Sequence, residues 1–234
     1  MNIWLTTYLS TDYTAQNGKS QARMLKSFID NGFSGTILMA NELNRPGYPL
    51  PKVMEYGFKA ACVKEALSHG ADMVIWSDSN MVLLKPFDEL VQVIRANPVF
   101  LMKNAWNVGQ WSTPECLSLA GLTRQEAYLV PTVVSGFFAI DLKRELSFAN
   151  DFIYHCQNPK ILNGPRTIKS PDSHVNEYFG HRHDQIILSI MAHKRGIALT
   201  EGYYADPTNA VGHHERPFNK TARSLIAWEP NSAL

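Results

Sequence analysis

The sequence predicts an α/β fold built on a mostly parallel, Rossmann-like sheet. Short apolar runs alternate with helix-period stretches through residues 1–103, the order that yields strands joined by crossover helices. Those runs are apolar on nearly every residue, as in strands covered on both faces, rather than alternating apolar and polar. Polar residues follow directly after them at 7–12, 78–80 and 135–136, where sheets of this kind bind ligands beyond the carboxyl ends of their strands.

Residues 3–9 open the fold as a strand. A helix over 17–31 ends at Gly32, a good residue just past a helix end. Residues 36–40 form a second strand, and Pro46, Gly47, Pro49 and Pro51 mark the following loop. A helix over 53–69 carries Tyr56, Ala60, Val63 and Leu67 on one face and stops at Gly70. Strands at 73–76 and 81–84 flank the polar triplet Asp78-Ser79-Asn80. Pro86 occupies a first helical position, and Phe87, Leu90, Val91 and Ile94 supply the apolar stripe behind it.

Residues 99–102 form the next strand, and Thr123 with Glu126 has the spacing of a capping box. A strand over 133–140 is interrupted at Ser135-Gly136, and a helix over 142–155 follows. Residues 158–182 are irregular and polar, a length at which loops are either binding loops or plain surface. A helix over 183–195 presents Ile186, Ile187, Ile190 and Met191 to the core, with Lys194 and Arg195 suited to its C-terminal dipole. The tail from Tyr203 is rich in His, Pro and Asn.

The chain has 234 residues, enough for one large domain with a sizeable core, and 45% of them are hydrophobic. We expect a single domain over 1–234, in two halves at 1–103 and 104–234. A formal charge of +1 gives no polybasic nucleic-acid footprint. Cys62, Cys116 and Cys156 are odd in number and widely spaced, which predicts buried thiols in a cytoplasmic protein rather than a disulfide framework. The first residues lack a basic, apolar leader, and no run approaches the ~20 apolar residues of a membrane span.

Asp78 ends an apolar strand, and a carboxylate buried there needs a partner. A divalent cation is one solution, because Mg²⁺ and Mn²⁺ take carboxylate and other oxygen ligands and finish their shell with phosphates. Asp78 and Asn80, two apart in an extended segment, share one face. Alone, the triplet reads better as a polar turn between strands.

The context is more specific. The stretch from Phe58-Lys59-Ala60-Ala61 through Met73-Val74-Ile75-Trp76-Ser77-Asp78-Ser79-Asn80 to Lys85-Pro86-Phe87-Asp88-Glu89-Leu90 resembles the core of the A-type-fold (DxD-type) glycosyltransferases, notably the glycogenin and bacterial galactosyltransferase group. Val134-Ser135-Gly136-Phe137-Phe138-Ala139-Ile140 is similar to that family's strand beside the donor sugar. His183-Asp184-Gln185 is similar to its Asp-Gln segment, and Gly212-His213-His214-Glu215-Arg216-Pro217-Phe218 to its late histidine and Lys-Pro-Trp-like turn. Asn80 replaces the second acid of DxD and is a weaker ligand, Val134 stands where many members have a polar residue, and Arg216-Pro217-Phe218 replaces Lys-Pro-Trp.

The resemblance implies a nucleotide-diphospho-sugar transferase fold, with a nucleotide-binding half at 1–103 and an acceptor and donor-sugar half at 104–234, and a metal-assisted glycosyltransferase of the hexosyl or pentosyl class, using a UDP-sugar. Asp78, Asn80 and His213 or His214 would hold Mn²⁺ or Mg²⁺ against the diphosphate. Thr6, Thr7, Tyr8 and Asp12 would lie near the nucleotide, Tyr8 stacking on the base, and Lys59 would reach a phosphate. Ser77, Ser135, Gly136, His183 and Gln185 would line the donor. Asp184 would act as base for the acceptor hydroxyl or stabilise an oxocarbenium-like transition state. The acceptor is a saccharide, a protein, a small molecule or a modified nucleic-acid base, shaped by loops at 104–116 and 158–181. Trp106 and Trp111 read either as acceptor surface or as packing under a loop. Two other classes stay open: a non-catalytic nucleotide-sugar-binding or interaction module, and a metal-dependent hydrolase built on the late histidines.

Overall fold

The computed structural model describes residues 1–9, 14–41, 56–165 and 176–201, and the backbone of short strands at 204–205 and 226–228. In chain order the elements are β1 (Ile3–Leu9), α1 (Thr14–Asp30), β2 (Thr36–Asn41), α2 (Phe58–Ser68), β3 (Met73–Ser77), β4 (Met81–Leu83), α3 (Phe87–Ala96) and β5 (Val99–Asn107). They continue with α4 (Pro114–Ala120), α5 (Arg124–Ala127), β6 (Pro131–Asp141), α6 (Leu146–Cys156), α7 (Pro159–Leu162), α8 (His183–Lys194), β7 (Tyr204–Ala205) and β8 (Ile226–Trp228).

A five-stranded sheet runs in the order β2-β1-β3-β6-β5. β1 is parallel to β2 and β3, whereas β6 lies antiparallel between β3 and β5. All strands but β6 therefore share one direction. β3 is buried along its whole length, which accounts for its unbroken apolar run. Val74 and Trp76 point into a core shared with α2, α6 and α8, while Met73 and Ile75 point into one shared with α1 and α3. A second sheet, β4-β8-β7, returns the tail to the strand that follows Asp78.

Several boundaries differ from the sequence expectation for local reasons. Tyr56 is not helical: its φ is +65°, Gly57 caps the helix, and α2 starts at Phe58. β6 runs through Ser135-Gly136 without a break. The start of α6 is delayed because Asp141 Oδ1 accepts from the Lys143 and Arg144 amides and sets a turn before it. Residues 104–107 continue β5, and the rest of the expected 104–116 loop leads into α4, capped by the Thr113 side chain with Pro114 in its first turn and Gly121 left-handed at its end. The Thr123–Glu126 capping box is formed on both sides. The three cysteines are buried free thiols, and burial pushes Cys62 up to about 12. No described helix is long and apolar enough to cross a membrane.

Candidate active site

β3 delivers Asp78 to the carboxyl edge of the sheet. The chain then turns at once, with the Met81 amide donating to the Asp78 carbonyl at 3.0 Å. The Asp78-Ser79-Asn80 triplet is therefore a tight turn, not the extended segment expected, and the shared-face argument for Asp78 and Asn80 does not apply. The Asp78 amide donates to the Gly136 carbonyl at 2.7 Å, which ties the turn to β6. A Cβ on Gly136 would lie 3.1 Å from Asp78 Oδ2. Glycine at this point of the strand admits the carboxylate.

Trp76 orients that carboxylate. Its Nε1 donates to Asp78 Oδ1 at 2.8 Å, and the two residues are two apart at a strand end, so they share a face. In the sequence Trp76 only ends the apolar run 73–76. Its position two residues before an acid was the signal for it.

Lys59 is the hub. It is the second residue of α2, and its side chain is buried. Its Nζ donates to the Ser135 carbonyl at 2.9 Å and lies 3.4 Å from Ser135 Oγ. The same atom is 2.9 Å from Asp184 Oδ2 and 3.5 Å from Asp78 Oδ1. It also sits 5.4 Å above the Trp76 ring. An ammonium has three donors, and around this one stand the two Ser135 oxygens and the two carboxylates. Burial alone would depress this amine, but Asp184 and then Asp78 more than reverse that and hold it above the ordinary lysine value. Asp184 moves up chiefly through burial, with Lys59 opposing.

Asp184 is the second residue of α8, where the helix dipole favours a negative charge. Its Oδ2 has the ion pair with Lys59, but no donor is aligned on it for a hydrogen bond. His183 and Gln185 on either side of it are buried. The His183 ring donates from Nδ1 to the Leu162 carbonyl at 2.9 Å and stacks on Tyr56. Asp78, Lys59, Ser135, Gly136 and Asp184 thus converge around one point, drawn from β3, α2, β6 and α8.

Other candidates sit apart from that point or are turned inward. The Thr6 hydroxyl donates to the Ile75 carbonyl at 3.1 Å inside the sheet. Thr7 is buried, and its hydroxyl has no hydrogen-bond partner among the described residues. Tyr8 stacks on Phe58, with ring centroids 4.3 Å apart. Ser77 turns its hydroxyl toward the Asp78 carbonyl at 3.3 Å. Trp111 is 2% exposed and is packed by Trp106, Phe179 and Arg182, so it is core rather than acceptor surface. Asp12, His213 and His214 lie outside the described residues.

The donor set fits a hard divalent cation in part. Asn80 Oδ1 is buried without a hydrogen-bond partner among the described residues, and Asp78 Oδ2 borders the Gly136 gap. Among the described residues no three His, Cys, Asp or Glu side chains converge in the manner of a metal centre. A third protein ligand would have to come from elsewhere in the chain.

No family model and no curated protein matches the sequence. Solved structures do match in three dimensions. Mouse xyloside xylosyltransferase 1 in its apo form superposes with a TM-score of 0.54 at 8% identity, covering 98% of each chain. The apo WbbM bifunctional glycosyltransferase superposes with a TM-score of 0.51 at 14% identity, covering 97% of this chain and 45% of that one. This chain has the fold of the A-type glycosyltransferases, the architecture that its motif order resembles.

Proposed function

We propose that this protein is a glycosyltransferase that moves a hexosyl or pentosyl group from a UDP-sugar to an acceptor hydroxyl. The observation that carries the reading is Lys59, a buried cation between Asp184 and Asp78 at the carboxyl edge of the sheet. Matching charge against charge in a buried setting is a poor way to gain stability, and ligands bind at this edge in open α/β sheets. The fold shared with two glycosyltransferases supports the same reading.

In this mechanism the acceptor oxygen forms a bond to the anomeric carbon as the bond from that carbon to the β-phosphate oxygen breaks, releasing UDP. Asp184 takes the acceptor proton or stabilises the positive charge that develops on the sugar. Its raised proton affinity makes it a stronger base than a solvent-exposed aspartate. Lys59 offsets the repulsion between Asp184 and Asp78 and fixes both carboxylates relative to Ser135. Asp78 Oδ2 and Asn80 Oδ1, with His213 or His214, would hold Mn²⁺ or Mg²⁺. When bound, such an ion neutralises charge on the departing diphosphate.

Among the described residues the hydrolase alternative has no observation in its favour. His181 and His183 both spend a ring nitrogen on backbone carbonyls, at Ile161 and Leu162. Calorimetry with a panel of nucleotides and nucleotide-sugars, with Mn²⁺ and then with chelator, tests the proposal. Metal-dependent binding of UDP and one UDP-sugar is expected. Well-folded protein that binds none of them would overturn it.

A further inference from the structure

Tyr56 and His183 are the two non-glycine residues with positive φ among the described residues, at +65° and +44°. Bulky side chains seldom adopt this backbone, and it persists where the surroundings enforce it. Here the two residues with this backbone meet. Their rings stack with centroids 4.9 Å apart and planes 20° from parallel.

Each also stands at the start of a helix that carries one half of the buried ion pair. Tyr56 precedes the Gly57 cap of α2, which bears Lys59. His183 precedes Asp184 at the start of α8. The stack therefore joins the two helix starts next to the place where their charges meet, with Lys59 Nζ 5.9 Å from the Tyr56 ring. His183 is further anchored by its hydrogen bond to the Leu162 carbonyl, and Tyr56 packs against Phe58 at 5.8 Å. Lysine is a flexible four-carbon stem with a mobile head group. Holding it in one geometry against a carboxylate requires that the two backbones be fixed.

We propose that the Tyr56–His183 stack is a positioning device: it locks the starts of α2 and α8 in register so that Lys59 and Asp184 stay paired and Asp184 stays aimed at the reacting sugar. This assignment rests on the glycosyl-transfer reading for its consequence in turnover, but not for its structural part. Neither residue acts on substrate in it; both act through Lys59 and Asp184.

Three substitutions in the full chain test it. Tyr56→Gly removes the ring and the backbone strain together. His183→Asn removes the ring but keeps a residue that tolerates a left-handed backbone. Tyr56→Phe keeps the ring and removes only the hydroxyl. Crystal structures of all three are compared with hydrolysis of UDP-glucose, UDP-galactose and UDP-xylose, separated into kcat and KM. In Tyr56→Gly and His183→Asn the Lys59–Asp184 contact should open beyond about 4 Å, the limit of an ion pair. In the same variants kcat should fall about tenfold or more with KM nearly unchanged, the signature of an interaction made in the transition state. Tyr56→Phe should keep both the contact and kcat. An ion pair still closed in both ring-deleted variants would overturn the proposal, and so would a Tyr56→Phe variant as impaired as Tyr56→Gly. Wild-type protein that turns over none of the three donors removes the transferase reading, while the crystal structures still decide whether the stack positions the pair.

Discussion

Of the places where a cation lies against an aromatic ring, two differ in burial and in partners: Lys59 is buried, whereas Arg124 is half-buried and Arg182 exposed. Lys59 lies over Trp76 and meets two carboxylates, Asp184 and Asp78. Arg124 and Arg182 form the other group. Arg124 Nη1 donates to the Gly109 and Ser112 carbonyls at 2.6 and 2.7 Å, with its guanidinium 5.0 Å from the Tyr178 ring. Arg182 lies 4.3 Å from the Trp111 ring. At Arg124 neutral backbone oxygens meet the charge, as a brace between chain segments requires. In the lysine group charge is matched against charge in a buried setting, a poor way to gain stability and a good way to hold carboxylates ready. The difference separates the proposed site from a clamp that holds residues 179–182 on the turn at 108–113.

The largest effect should follow from Lys59→Met. Removing one member of a buried pair leaves Asp184 uncompensated and costs about 3–5 kcal/mol. Urea unfolding measures that loss, and UDP-sugar binding should vanish with it. A variant with wild-type stability and binding would mean that Lys59 is no different in kind from the arginines. Asp184→Asn comes next. It keeps the shape but removes the base, so transfer should fall by about 10²–10⁴-fold while calorimetric donor affinity changes little. Equal loss of both would assign Asp184 to structure. In the wild type, burial raises Asp184, and a base works deprotonated; transfer should therefore fail on acidification at a pH above that of an ordinary aspartate.

These residues were unequally legible in the sequence. Asp78 and Gly136 stood out because each follows or interrupts an apolar run, and a polar residue there has to be explained. Asp184 stood out at the head of a helix. Lys59 carried no local mark of its burial: helical lysines are mostly solvated, and only the antiparallel insertion of β6 brings Ser135 over α2 to meet it. The left-handed backbone at Tyr56 was hidden for a related reason, since its apolar spacing fitted the helix that begins two residues later. α4 was missed although Thr113, Pro114 and Gly121 spelled its ends. The pairing of β8 with β4 joins segments far apart in sequence, which no local pattern records.

His181 sharpens the comparison from the clamp side. It adjoins Arg182, and burial first, then the neighbouring His183 ring, lowers it from 6.5 to about 4. The unfolded chain therefore binds this proton more tightly than the folded one. The contribution is complete above the ordinary histidine value of 6.5 and is lost as pH falls toward about 4. A shift of that size is worth about 3 kcal/mol. Urea unfolding across that window should show the decline in the wild type and a flatter profile in His181→Gln. Identical profiles would mean that the ring protonates freely in the folded protein.

Arg124→Ala is the smallest expected effect and the most direct test of the contrast. It removes two charge-assisted hydrogen bonds to the Gly109 and Ser112 carbonyls. The side chain is half-buried, and water can reach part of what it leaves behind, so the loss should be about 2 kcal/mol rather than the sum of two buried contacts. The carbonyls it releases are neutral, and no unpaired charge remains. UDP-sugar affinity should therefore match the wild type even as the unfolding midpoint falls. If donor affinity falls as far as in Lys59→Met, the clamp is part of the site: the path would run from Arg124 through the 108–113 turn and residues 179–182 to Asp184, and the division between brace and binding site would not hold.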